Sequence, residues 1–221
     1  PAIVDYILHH RNELLPYLSP VHSPMLCTAI YMRRYQNVTD KIAAISPCIA
    51  KANEFEETGN LVSYNITFAR LAEYIREHKL ALPLQGTGFD HVDSGLGAIY
   101  SMPGGLKENV EYMIGKGLRI DKSEGQAVVY HALDAFSRED EANLPAIFDV
   151  LNCPEGCNMG TGCRHDKSFF EVSSSMDEAR KDVTERGREF MDELYAEFDK
   201  SLRLFDFIRR YAPKPVRSIP V

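Results

Sequence analysis

The sequence is poor in positive charge and has no long apolar run. Its 25 Lys and Arg are outnumbered by 32 Asp and Glu, for a net charge of −7 over 221 residues. That excludes a basic footprint for nucleic acid, and a short cluster such as Arg33-Arg34 does not alter the balance. No apolar stretch approaches the ~20 residues of a membrane span. Cysteine is scarce and odd in number, five in all, and no signal-peptide pattern precedes it, so a secreted disulfide scaffold is not expected. The chain is expected to be cytoplasmic. Position 1 is Pro rather than Met, and a piece of a longer polypeptide is expected. With 44% hydrophobic residues there is enough apolar material for one large or two modest domains.

Against this background one stretch stands out. Residues 151–163 (LNCPEGCNMGTGC) hold three of the five cysteines and three glycines. Cys153 and Cys157 are four apart, so their sulfurs share a face if the segment opens a helix, and Cys163 follows across a loop that glycine lets bend. Core cysteines come singly among Val, Leu and Ile, whereas these are embedded in Pro, Glu, Asn, Thr and Gly. Thiolates in such a setting, with backbone N–H groups around them, suit a soft ion or an iron–sulfur cluster. Zinc is the alternative, with His165 or Cys48 completing a tetrahedral set.

The rest of the chain alternates helices with short apolar strands. Ile3, Ile7, Leu14, Leu15 and Leu18 mark an opening amphipathic helix that Pro16 interrupts, and Ser23-Pro24 starts a second helix to about Gln36. Residues 41–46 (KIAAIS) read as a buried strand ending at Pro47-Cys48, which puts Cys48 at a strand carboxyl end, where ligands gather in open α/β sheets. Strands are also expected over 61–66, 126–133 and 146–151, the last running straight into Cys153, and Thr67 caps a helix over 68–78. Four glycines lie between Asp93 and Leu106, and Gly104-Gly105 precedes a helical pattern through Met113, a helix N-terminus of the kind that seats an anion. Phe190, Leu194, Phe198, Phe205 and Ile208 predict one long packing helix over about 176–211. Alternating strands and helices imply an α/β fold with mostly parallel sheets.

Ser23-Pro24, Pro47-Cys-Ile-Ala-Lys51 with Glu54, the glycines from Gly95 to Gly105, and Cys153-Pro-Glu-Gly-Cys157 occur in the order and spacing of the FeFe (iron-only) hydrogenase large subunit. The chain resembles that family over nearly its whole length. The resemblance implies an H-cluster domain of two lobes, roughly 1–55 plus 146–221 and 56–145, with the cluster between them. It also implies a [4Fe–4S] cubane joined through one cysteine to a diiron subsite, and reversible proton reduction to dihydrogen. On it, Cys48 and Cys153 ligate the cubane, Cys157 bridges to the diiron subsite, and the fourth ligand is the residue ahead of Pro1. Lys51 hydrogen-bonds a cyanide ligand, Glu54 and Ser19 belong to a proton path, and Ser23, Pro24, Pro47, Gly104 and Gly105 line the cofactor.

Departures from the family pattern are concentrated near the cluster. Ser46 and Leu151 stand where productive members carry methionine, Met25 replaces a glutamine-like position, and Glu155 replaces a glycine. Thr161-Gly-Cys163 replaces a Gly-Gly-Gln-like ending, making Cys163 a candidate extra ligand or redox-active thiol. The pattern is similar to the divergent, sensory branch, whose members pair with ferredoxin-like electron-transfer segments upstream or a separate ferredoxin and sometimes carry a signalling domain. Slow turnover or sensing is therefore expected; a non-catalytic [4Fe–4S] module or a cluster-assembly relative is the alternative. Cys27, among Met, Leu, Thr and Ala, reads as a core residue.

Overall fold

A computed structural model describes residues 1–86, 88, 90 and 94–216, with the side chain of Arg188 left aside. Asp93, which opens the glycine stretch, lies outside the described residues. Two parallel strand pairs organise the chain. Strand β1 (Ala43–Ser46) leads through helix α3 (Lys51–Glu57) to β2 (Tyr64–Thr67), in register Ala43 with Tyr64 and Ser46 with Thr67. Strand β3 (Ile120–Glu124) leads through α6 (Gln126–Phe136) to β4 (Ile147–Leu151), with Ile120 opposite Ile147. Each is a βαβ unit, the connection that parallel strands require. Both pairings cross the boundaries expected at 55/56 and 145/146.

Each unit owns a core. Leu26 and Ala29 of α2 (Pro24–Arg34) pack with Ile42, Phe55 and Val62 beside the first pair. Ile3 and Ile7 of α1 (Ala2–His10) pack with Leu14, Val129 and Leu133 over the second. The opening helix stops at Arg11 (φ −138°), before Pro16, which sits inside a following 3-10 turn (Asn12–Tyr17) where its missing N–H costs little. Helix α4 (Phe68–Glu77) starts where expected, with Thr67 Oγ1 accepting the Arg70 N–H at 3.3 Å.

Several expected elements are corrected. Residues 126–136 are helical, not a strand: Val129, Leu133 and Phe136 recur at helical spacing behind Gly125, and this outweighs the β-branched pair Val128-Val129. The true partner of β4 is the polar segment IDKSE, whose burial falls mainly on Ile120. β1 is short and Ile45 is 45% exposed, so Cys48 follows a strand buried only at Ser46. The long final helix is two, α7 (Phe169–Glu185) and α8 (Gly187–Ser201), broken at Gly187 (φ +83°) and begun by a Ser168–Glu171 capping box. Beyond α8 the chain turns through 3-10 residues (Leu204–Phe207) and runs back to pair Ile208 with Val21. Among the described residues no helix is long and apolar enough to cross a membrane.

Candidate metal centre

The carboxyl ends of β1 and β4 bring two loops together. Gly160 and Gly162 pack directly on the Pro47 peptide: the Gly162 N–H donates to Pro47 O at 2.8 Å, and a Cβ would lie 2.5 Å from that oxygen at position 160 and 2.9 Å from the Pro47 carbonyl carbon at 162. The Ile49 N–H reaches Thr161 Oγ1 at 3.4 Å. A third stretch closes the rim, since the Cys157 N–H donates to Ser101 O at 3.1 Å and a Cβ at Gly156 would meet Pro103 Cδ at 2.7 Å. Only glycine allows these approaches, and Gly156 has φ +87° besides. Glu155 takes φ +61° in the same turn, a conformation costing a non-glycine residue about 1–3 kcal/mol.

Cys48, Cys153 and Cys157 lie near enough there for their thiols to act on one another electrostatically. Burial first, then the neighbouring Cys153 and Cys48 thiols, push the Cys157 pKa up to about 11. Burial and the same two neighbours also raise Cys163, opposed by a hydrogen bond from the Gly160 backbone. The nitrogen of Pro1 lies beside Lys51, Glu54, Cys48 and Cys157, so α1 starts at the site. Residues 153–159 form turns and a short 3-10 helix (Cys157–Met159), not the α-helix that would stack Cys153 over Cys157. Among the described residues no three His, Cys, Asp or Glu side chains are gathered as ligands of a single metal ion, and His165 is exposed. A zinc ion would draw its sulfurs to ~2.3 Å from one point. A cubane, several ångströms across, spaces its thiolates more widely. Soft sulfur donors on a glycine cradle rich in backbone N–H groups fit an iron–sulfur cluster.

Beside the thiols lies a buried charge network. Lys51, first residue of α3, is 9% exposed, and Glu54 one turn on is 5% exposed. Lys51 Nζ donates to Glu54 Oε2 at 2.6 Å and to Ser23 Oγ at 2.8 Å, while the Ser23 hydroxyl donates to Glu54 Oε2 at 3.1 Å. Ser23 is the N-cap of α2, yet its hydroxyl serves this network instead of capping the helix. Burial alone would raise the Glu54 pKa; the Lys51 charge, its hydrogen bond and Ser23 outweigh that and hold the carboxyl below the usual range. Arg209, 8% exposed, donates from Nη1 to Glu54 Oε1 at 3.2 Å.

The remaining expected residues are placed as follows. Ser46 is fully buried; its hydroxyl donates to Asn65 Oδ1 at 2.6 Å and accepts the Cys48 N–H at 3.4 Å, while Asn65 Nδ2 donates to Cys48 O at 3.0 Å. These bonds fix the Cys48 turn. Ser19 is exposed, and Pro24 is exposed at the first position of α2. Gly104 (φ +85°) caps α5 (Gly105–Ile114), and Gly105 lies where a Cβ would be 1.9 Å from Ile99 O. The Gly105 N–H is taken by Met102 O at 2.9 Å; close packing accounts for Gly105, and the positive φ for Gly104. Cys27 donates to His22 O at 3.2 Å and is raised to about 11 by burial and by Glu54, so it faces the charge network rather than a remote core.

Sequence reasoning missed Arg209, Asn65 and Tyr100. The Tyr100 hydroxyl is pushed up to about 12 by burial, then by Asp149, Cys157 and Cys27, although part of its ring faces solvent. An asparagine inside the expected strand over 61–66, which the register sets opposite Ala44, was the available signal for Asn65; nothing in the sequence brings Arg209 back to α3.

Comparison with known proteins accords with this geometry. The family model of the iron-only hydrogenase large subunit, C-terminal domain, matches residues 1–144. The chain belongs to the iron-only hydrogenase large-subunit family. No curated protein matches it in a sequence search. Among solved structures it is similar to the [FeFe]-hydrogenase HydA1 from Chlamydomonas reinhardtii: a glutamate-to-alanine variant gives a TM-score of 0.68 at 13% identity, covering 98% of this chain and 75% of that one. An apo cysteine-to-histidine variant of the same hydrogenase gives 0.66 at 14% identity, with the same coverage of each chain. A structure concerned with oxygen inactivation of [FeFe]-hydrogenase through damage to the 2Fe subcluster of the H cluster gives 0.62 at 13%, again covering 98% and 75%. At these identities the likeness establishes the fold, which is the mixed α/β fold of that family.

Proposed function

We propose that this chain is an H-cluster domain that turns over dihydrogen slowly and serves to sense hydrogen or redox state. The observation that carries the reading is the meeting of Cys48, Cys153 and Cys157, from two βαβ units, beside a buried Lys51. When bound, the group supplies reversible proton reduction to dihydrogen at its diiron part.

The chain's own residues bind and orient it. Cys48, Cys153 and Cys157 would hold the [4Fe–4S] part, with a fourth ligand from the residue ahead of Pro1 and Cys163 as a substitute. The Cys157 thiol, at about 11, keeps its proton at neutral pH in the metal-free protein, so loading releases it. Ser46 and Asn65 fix the Cys48 turn from behind. Lys51 offers charge and N–H donors to an anionic ligand such as cyanide; a cubane-only module has no use for a buried ammonium. A proton relay works best with groups near the working pH, and Glu54 is held well ionised by Lys51 while Ser19 is at the surface. This, together with Ser46 and Leu151 in place of methionines, supports slow turnover: each ~1.4 kcal/mol added to the barrier costs tenfold in rate. Electrons would come from ferredoxin-like segments of the same polypeptide or a separate ferredoxin in the cytoplasm, with a signalling domain as the reader.

Anaerobic reconstitution tests the ligand set. The parent should take up iron and acid-labile sulfide, and Cys48→Ser or Cys157→Ser should lose most of it; equal iron in all three would sink the assignment. Matured with a synthetic diiron precursor, the protein should evolve dihydrogen slowly, and Ser46→Met with Leu151→Met should be faster.

A further inference from the structure

Arg209 lies 65 residues beyond the end of the family match at 144, on the returning tail, and its guanidinium is nonetheless buried against the carboxylate that holds Lys51. We propose that Arg209 is a positioning residue: acting through Glu54, it fixes the Lys51 ammonium beside the Cys48–Cys157 rim and so makes the C-terminal tail part of the site.

The geometry is a chain of alternating charges. Arg209 Nη1 bonds Glu54 Oε1 at 3.2 Å, and Nη2 bonds Glu57 Oε2 at 3.2 Å one turn along α3; Lys214 pairs with the other Glu57 oxygen. Glu54 thus has both oxygens occupied, Oε1 by Arg209 and Oε2 by Lys51 and Ser23. A planar fork can span two carboxylates on successive turns of a helix, which an ammonium cannot. The guanidinium also lies 4.8 Å from the Tyr211 ring centroid, which fixes its plane. Three cations (Lys51, Arg209, Lys214) meet the Glu54 and Glu57 carboxylates, and Asp5 of α1 lines the same cleft, so the charges on this flank of the thiol rim balance one another. A carboxylate with three donors on it is an anchor, not a carrier that picks up and passes a proton.

The tail is placed independently of this side chain. The Arg209 N–H donates to Pro20 O at 2.8 Å, the His22 N–H to Phe207 O at 3.0 Å and the Lys214 N–H to Leu8 O at 2.8 Å. Around Glu54 the titratable and charged groups include Lys51 and Glu57 of α3, Arg209, Tyr211 and Lys214 of the tail, His22 ahead of α2 and Cys27 within it, and Pro1 and Asp5 of α1.

The functional meaning rests on the H-cluster reading, but the test is made on the metal-free chain, so the two can fail separately. In NMR of protein labelled with 15N-lysine, 15N-arginine and 13C-glutamate, acidification of the parent should move the Lys51 ammonium and Arg209 guanidinium signals with one common midpoint, that of the Glu54 carboxyl. Separate midpoints would overturn the proposal, and this needs no variant to fold. In Arg209→Gln the Lys51 ammonium signal should be lost to exchange and the Glu54 midpoint should move to higher pH, with the Val21 and Ile208 amide signals in place. Arg209→Lys, whose ammonium can hold Glu54 but not both carboxylates, should restore the Lys51 signal only in part, and Arg210→Gln, at an exposed neighbour, should change neither. An unchanged Lys51 signal in Arg209→Gln would overturn it.

Discussion

The two rims of the site are built by opposite means. On the α3 side, Lys51, Glu54 and Arg209 are buried and, with half-buried Ser23, satisfy one another, so the positions are set by charge and hydrogen bonds. On the 153–163 side there is almost no charge: glycines pressed onto Pro47 and Pro103, and two consecutive left-handed residues, Glu155 and Gly156, hold thiols that remain half-buried. The difference teaches where each rim's order comes from. The charged rim is satisfied as it stands, whereas the raised Cys157 and Cys163 thiols keep their protons and, on the proposed reading, would give them up to a metal.

The contrast breaks most visibly in stability. Glu54→Gln leaves Lys51 buried without its anion and Arg209 with Glu57 alone, and should cost the metal-free chain about 3–5 kcal/mol in urea unfolding. Cys157→Ser, on the other rim, should change metal-free stability far less while abolishing iron uptake. A Cys157→Ser variant destabilised as much as Glu54→Gln would erase the distinction. Gly162→Ala should come next, at about 1–3 kcal/mol, because the new methyl meets backbone atoms of Pro47 that cannot step aside. Ser46→Ala strips the Cys48 N–H and Asn65 of a buried partner and should cost about 1–3 kcal/mol.

Titration separates the rims by sign. Glu54 has a folded pKa below its unfolded value, so its contribution is present above the unfolded value and is lost as pH falls through the folded one. Cys157 has its pKa raised, so its contribution is present below its ordinary 9.0 and is lost as pH rises from there to about 11. Metal-free stability should therefore fall at both ends, and Cys157→Ser should remove part of the alkaline fall alone. An alkaline limb identical in parent and variant would mean the thiol does not sit buried among its neighbours.

How much of this was legible in the sequence follows the same divide. The thiol rim was readable because Cys, Pro and Gly are local signals: spacing and composition alone pointed to Cys153, Cys157 and the strand end at Cys48. The family match of Lys51 and Glu54 was legible too, but not why they are buried, because Arg209 reaches them from 155 positions beyond Glu54 through a tail that looked helical. Over 126–133 the β-branched residues obscure a helical stripe, and β3 is invisible because IDKSE carries one buried apolar side chain. Gly187 is the sign that the last helix breaks, and the apolar spacing on either side of it hides that break.

The central claim is that Cys48, Cys153, Cys157 and Lys51 together hold a complete H-cluster. The infrared spectrum of the anaerobically matured protein tests it most directly. The account predicts stretching bands of metal-bound CO and cyanide, absent in Cys157→Ser, with the cyanide bands displaced in Lys51→Met. A reconstituted protein that binds iron and sulfide yet shows no CO or cyanide band after maturation would contradict it.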